Sequence, residues 1–170
     1  MVRAFPLILL LTAVLALPAR ATPVAAPTPA YANALITHPV SIVKTSDLDF
    51  GQLTSTAAGT AVIDPTANSI AATGGVTLVG TQWSAGEFTG AAGGASVVVL
   101  IKLPNQPVTL MRQGGTETMT VSNLTLQGQN KRTLATLQSF TFRVGGTLNV
   151  GANQAEGVYT GIFNVDVQYP

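Results

Sequence analysis

The amino-acid sequence predicts an all-β sandwich, and three observations carry that expectation. First, the chain ends on an alternating stretch, Tyr159 to Tyr169. Tyr159, Phe163, Val165, Val167 and Tyr169 share one register with Gly161 as its gap, while Thr160, Asn164, Asp166 and Gln168 hold the other, broken by Ile162. A period of two gives a strand one apolar and one polar face. Second, no segment of the mature chain repeats apolar residues at spacings of three and four over a helical length. Third, roughly nine or ten short stretches rich in Thr and β-branched residues are separated by Gly, Pro and Asn, the pattern of a sandwich.

The chain begins with a different signal. Arg3, the apolar run Phe5 to Leu17 and then Ala19-Arg20-Ala21 read as a secretory leader cut after Ala21. The run falls short of the roughly 20 apolar residues that span a bilayer, and no later stretch reaches that length. Residues 1–21 are therefore expected to be removed. The mature chain should pass through the periplasm and end on the cell surface or outside the cell, with no transmembrane segment. Of the 8 Lys and Arg, Arg3 and Arg20 belong to the leader, so six face 7 Asp and Glu in the mature chain. That near-neutral balance gives no basis for a nucleic-acid or anionic-membrane surface. The absence of Cys excludes disulfides and thiolate metal sites. At this length one domain can bury its core without such links.

Residues 22–35 form a Pro- and Ala-rich extension, opening Thr22-Pro23-Val24-Ala25-Ala26-Pro27-Thr28-Pro29, which suits extended chain. Residues 36–170 are then the sandwich domain. From Ala30 to Lys44 the side chains of Ala34, Ile36, His38, Val40 and Ile42 share a face, and Pro39 places the segment at an edge or outside the domain altogether. Leu48 and Phe50 make a short strand ended by Gly51. Thr60 to Asp64 is another, closed by Pro65, and Gly74-Gly75 separates Ile70 from Val76 to Val79. Trp83 to Gly94 is too rich in Gly and Ala to assign. Ser96 to Leu103 is an apolar run suited to burial on both faces. Pro107 to Arg112, Thr116 to Leu126 and Gln138 to Val144 follow, and Gly145-Gly146 makes a hairpin turn or a bulge before Thr147 to Val150.

Little of this carries chemistry. His38 is the only histidine, so a His-based metal site or a catalytic triad has a single candidate. Asp47 and Asp49 could serve calcium, but a solvated face opposite Leu48 and Phe50 is the plainer reading. Asn123-Leu124-Thr125 is a formal glycosylation sequon. No phosphate-loop, dinucleotide or nucleophile-elbow pattern occurs. Neither catalysis, a cofactor nor a metal is expected.

The chain end is more informative. Tyr169 is penultimate, and Gly157 lies fourteenth from the end, with alternating apolar residues between. This arrangement resembles the C-terminal signature of bacterial pilins assembled by the chaperone–usher route. Asp47-Leu48-Asp49-Phe50-Gly51, Val144 to Val150 and Gly157 to Val167 together resemble a secreted bacterial domain-of-unknown-function family akin to fimbrial subunits. The resemblance implies an immunoglobulin-like sandwich lacking its last strand and carrying a hydrophobic groove. A periplasmic chaperone would fill the groove first, and the N-terminal extension of the next subunit would replace it beside an outer-membrane usher. The assembly strand would then hold Gly157, Tyr159, Gly161, Phe163, Val165, Val167 and Tyr169, and the donor segment Ala32, Ala34 and Ile36. The expected function is that of a structural subunit of a fimbria-like assembly, bound to identical or related subunits. Alternatively, Ala30 to Lys44 is the domain's own first strand. The protein would then be a monomeric surface or secreted binding module, for glycans, using Trp83 and a flexible Gly86 to Gly94 loop.

Overall fold

A computed structural model describes residues 40–93 and 96–170; the leader, the extension, His38 and the donor residues Ala32, Ala34 and Ile36 lie outside them. The described residues hold eleven strands and no helix. The large antiparallel sheet is built on β9, Ser139–Val150, which pairs with three other strands. Along one edge its first half pairs with β4, Gly86–Ala92, from Ser139 to Val144. Beyond Gly145 the same edge pairs with β2, Gln52–Asp64, from Gly146 to Val150. The opposite edge pairs with β7, Thr118–Leu126. The sheet widens outward from this spine. β1 (Val40–Ser46) adds to β4, β3 (Ser69–Val79) adds to β2, and β6 (Val108–Arg112) and then β10 (Tyr159–Thr160) add beyond β7. A second sheet has three strands, with β5 (Val97–Lys102) between β8 (Lys131–Leu134) and β11 (Asp166–Gln168).

Two cores result. Phe88, Val99, Ile101, Leu134, Phe140, Phe142 and Val144 pack between the small sheet and the β4–β9 region. Phe142 is fully buried and stacks on Phe88 at 5.4 Å and on Phe140 at 6.1 Å between centroids. Each such buried side chain contributes about 1.5–3 kcal/mol before the entropy of ordering it. Ala61, Ile63, Val76, Val108, Val121, Leu148 and Val150 form the other core, drawn from the large sheet itself with Phe50 and Ala85. Phe163 packs against both.

The all-β expectation holds, and several element boundaries change. Gly74-Gly75 does not divide two strands: β3 runs through it, and the irregularity sits opposite, between Ser55 and Gly59 of β2. Gly145-Gly146 is no hairpin turn either. β9 is continuous there, and the ladder slips on β7 between Ser122 and Thr125, where Asn123 adopts φ 48°. The Leu48–Phe50 stretch makes only a bridge, Asp49 to Ser84. Gly86 to Ala92 is β4, a strand flanked on both sides, which removes the flexible binding loop expected there. β5 buries Val99 and Ile101 and leaves Val97, Val98 and Leu100 half-covered, so only one of its faces is fully in the core.

The terminal stretch is not one strand. Tyr159 and Thr160 pair with Arg112 and Met111 of β6, whereas Asp166 to Gln168 pair with Lys102 to Leu100 of β5. The segment between them crosses from one sheet to the other. Its alternation survives the crossing: Phe163, Val165, Val167 and Tyr169 are half-buried, and Ile162, out of register, is 90% exposed.

Candidate functional site

Two places on the molecule gather the features a function could use. The first is the place where an edge strand of the large sheet lies near an edge strand of the small one. β1 pairs only with β4, and β11 only with β5, so each leaves one edge without a strand partner among the described residues. They belong to different sheets yet come within 8 Å of each other, Cα to Cα. Val40 and Ile42 from β1, with Val165, Val167 and Tyr169 from the chain end, are partly buried against the Phe88–Phe142 core. Unpaired N–H and C=O groups beside apolar side chains are what an added strand recognises. Of the two places Pro39 allowed, at an edge or outside the domain, the described part of that segment, β1, takes the edge among the described residues.

The remaining residues of the signature have structural roles. Gly157 has φ 148°, and a Cβ there would meet Cγ and Cδ of Arg112 at 2.9 Å. Arg112 lies along this turn because its Nη1 donates to the Glu156 carbonyl at 3.0 Å while its Nε donates to Glu117 at 2.7 Å. Glu117 is held below the usual carboxylate range, first by that side-chain hydrogen bond, and the Arg112 guanidinium is correspondingly raised. Tyr159 donates its hydroxyl to the Ala155 carbonyl at 2.7 Å and accepts from Gln154 at 2.8 Å. Gly161 lies against the Thr109 carbonyl of β6, with no room for a side chain.

The second place is an open depression of about 430 Å³ on the outer face of β1, β4 and β9. Ser46, Asn68, Thr81, Trp83, Ser84, Glu87 and Arg143 line it. Register creates it: Glu87 is opposite both Ser46 of β1 and Arg143 of β9, on the face away from Phe88 and Phe142. Arg143 Nε donates to Glu87 Oε2 at 3.0 Å, and Thr45 Oγ1 donates to Glu87 Oε1 at 3.3 Å. The wall is fixed by the Asp49–Ser84 bridge and by Ser84 Oγ, which donates to the Asp47 carbonyl at 2.8 Å. Trp83 is half-buried and leans on the Ile63 core.

The possible calcium ligands do other things. Asp47 pairs with Lys44, and an oxygen of Asp49 accepts the Gly51 N–H at 2.8 Å, which stabilises the positive-φ turn at Gly51. Among the described residues no three His, Cys, Asp or Glu side chains gather as a metal site would need. No helix of the described residues is long and apolar enough to cross a membrane. The Glu87–Arg143 pair was missed in the sequence. Each residue lies on the polar parity of its strand, but only the β4–β9 register puts them together.

Comparison with known proteins adds one fact. The family model described as a domain of unknown function, DUF4402, matches residues 40–169. Neither a curated protein nor a solved structure matches.

Proposed function

The chain belongs to the DUF4402 domain-of-unknown-function family, and from that premise we propose that it is a structural subunit of a fimbria-like surface assembly, polymerising by strand exchange. The observation that carries this reading is that β1 and β11, among the described residues, each have a strand partner on one side only and are bordered by half-buried apolar side chains of residues 163–169. Residues 30–37 of a neighbouring subunit would add to the β11 edge and lay Ala34 and Ile36 on the Phe88–Phe142 core. Ile36 buried there contributes about 1.5–3 kcal/mol and each alanine methyl about 0.8 kcal/mol before entropy costs, a measurable share of the net stability of a domain. The immunoglobulin-like topology and the leader that directs export belong to the same proposal. So do the chaperone and usher as transient partners.

Removal of Thr22 to Thr37 is the test. The truncated protein should retain its β circular dichroism, melt at lower temperature and form no filaments. A peptide of residues 30–37 should restore its melting temperature. Unchanged melting and an inert peptide would sink strand exchange and leave a monomeric binding module as the better reading, for which the Trp83 depression is the supporting observation.

A further inference from the structure

We propose that the depression around Trp83 binds an uncharged saccharide, with Trp83 under the sugar ring and Arg143 on its hydroxyls. The proposal is independent of strand exchange, because the depression lies on the outer face of the large sheet and involves neither β11 nor residues 30–37.

The three described arginines are not equivalent. Arg112 engages all three guanidinium nitrogens, on Glu117 and the Glu156 carbonyl. Arg132 also engages three, on the carbonyls of Gln129, Thr141 and Gln127, and lies over the Phe142 ring. Both are structural clamps. Arg143 engages only Nε. Its two terminal amino groups have no partner among the described residues, although the side chain is anchored at a depression wall. A guanidinium fixed at Nε and open at both ends is a forked donor with its orientation already set.

The rest of the lining fits the same ligand. Trp83 supplies an apolar ring with a polar tip, a surface on which the C–H face of a pyranose can rest. Ser46, Ser84, Thr81 and Asn68 supply hydroxyls and an amide around it. Together they form an open, mostly polar surface around one aromatic side chain, suited to a hydroxyl-rich ligand rather than an apolar one.

Charge decides which saccharide. The positive charge of Arg143 is already balanced by Glu87, whose two oxygens are both occupied. A ligand carboxylate would gain the fork but meet the Glu87 charge beside it, whereas a pair of ring hydroxyls accepts from the fork without that penalty. The site therefore selects neutral sugars over uronates.

Trp83 is the only tryptophan in the chain, so tryptophan emission, excited beyond the absorption of the three tyrosines, reports this site alone. The mature full-length protein would be titrated with maltotriose, cellotriose, mannotriose, diacetylchitobiose and trigalacturonate, each to about 10 mM, a range that captures millimolar dissociation constants. At least one neutral sugar should shift the Trp83 emission saturably, with trigalacturonate at least tenfold weaker. Arg143→Lys retains a cation beside Glu87 but lacks the fork, and should weaken the same sugar at least tenfold with its melting temperature unchanged. Calorimetry on Trp83→Phe should show a comparable loss. An emission unmoved by every neutral sugar, equal binding of trigalacturonate, or wild-type affinity in Arg143→Lys would each overturn the proposal. Filament formation by these variants stays as in wild type, so failure here leaves the assembly reading untouched.

Discussion

Gly145→Ala, set beside Gly146→Ala, separates a continuous β9 from a hairpin at that point. At Gly145 the spine changes neighbours from β4 to β2, and the end of β2 crowds its backbone. A Cβ there would lie 2.2 Å from the Ile63 carbonyl oxygen and 2.6 Å from Cδ of Pro65. Both obstacles are rigid, one a backbone carbonyl and the other a proline ring. Relief requires a backbone displacement of roughly 1 Å, and overpacking of that kind costs about 1–3 kcal/mol. Displacing β2 at the point where Ile63 pairs with Gly146 also weakens a ladder hydrogen bond, worth about 1 kcal/mol. The sum is about 2–4 kcal/mol, or about 5–15 °C in melting temperature for a domain of this size. At Gly146 the nearest atoms are methyl groups of Leu124 and Val121 at 3.1 Å, which can move. Replacing a strand glycine also recovers about 0.5–1 kcal/mol of chain entropy, so Gly146→Ala should melt within a few degrees of wild type. Thermal melts followed at far-ultraviolet wavelengths give the comparison. Equal, small effects at both positions would mean that β9 turns at the glycine pair and that the spine does not exist.

The chain end offers a test of register. Val165 is half-buried against the Phe88–Phe142 core and Asn164 is exposed, so Val165→Asp should cost about 1–3 kcal/mol and Asn164→Asp less than about 0.5 kcal/mol. Similar melting of the two variants would show the alternation to be misread. Acid stability should depend on Glu117. Its folded-state affinity for protons is lowered mainly by Arg112, so its contribution is present above the unfolded carboxylate value, about 4.3, and disappears as pH falls through the lower folded value. Glu117→Gln should thus narrow the difference between melting temperatures at about pH 7 and about pH 2. If the wild-type and variant curves run parallel across that range, the pair makes no difference to folding.

What the sequence disclosed and concealed has a common physical cause. Period two is visible wherever large side chains mark the inward face, as in Phe163, Val165, Val167 and Tyr169, and that reading survives even where the strand breaks. It is invisible in β4. The inward positions there are Gly86, Phe88, Gly90 and Ala92, three of them small. Gly90 is small because Phe140 fills the space: a Cβ would lie 2.5 Å from Cζ of that ring. Hydrophobicity supplied by the neighbouring strand leaves no periodic trace in the strand that receives it. The glycine pairs misled for a related reason. Gly74-Gly75 and Gly145-Gly146 mark close approach of one backbone to another, and close approach and chain reversal call for the same residue. The Trp83 depression depends on a long-range register that no local pattern encodes, so Trp83 could be singled out but Glu87 and Arg143 could not.

The crossing near residue 160 has a consequence for how the molecule opens. Residues 159–169 tie β6 in one sheet to β5 in the other, and Phe163 reaches both cores. Releasing this one segment therefore strips the small sheet of a strand and uncovers both cores in the same step. Slow amide exchange should then be lost from β5 and β6 together, as one cooperative unit, although they belong to different sheets.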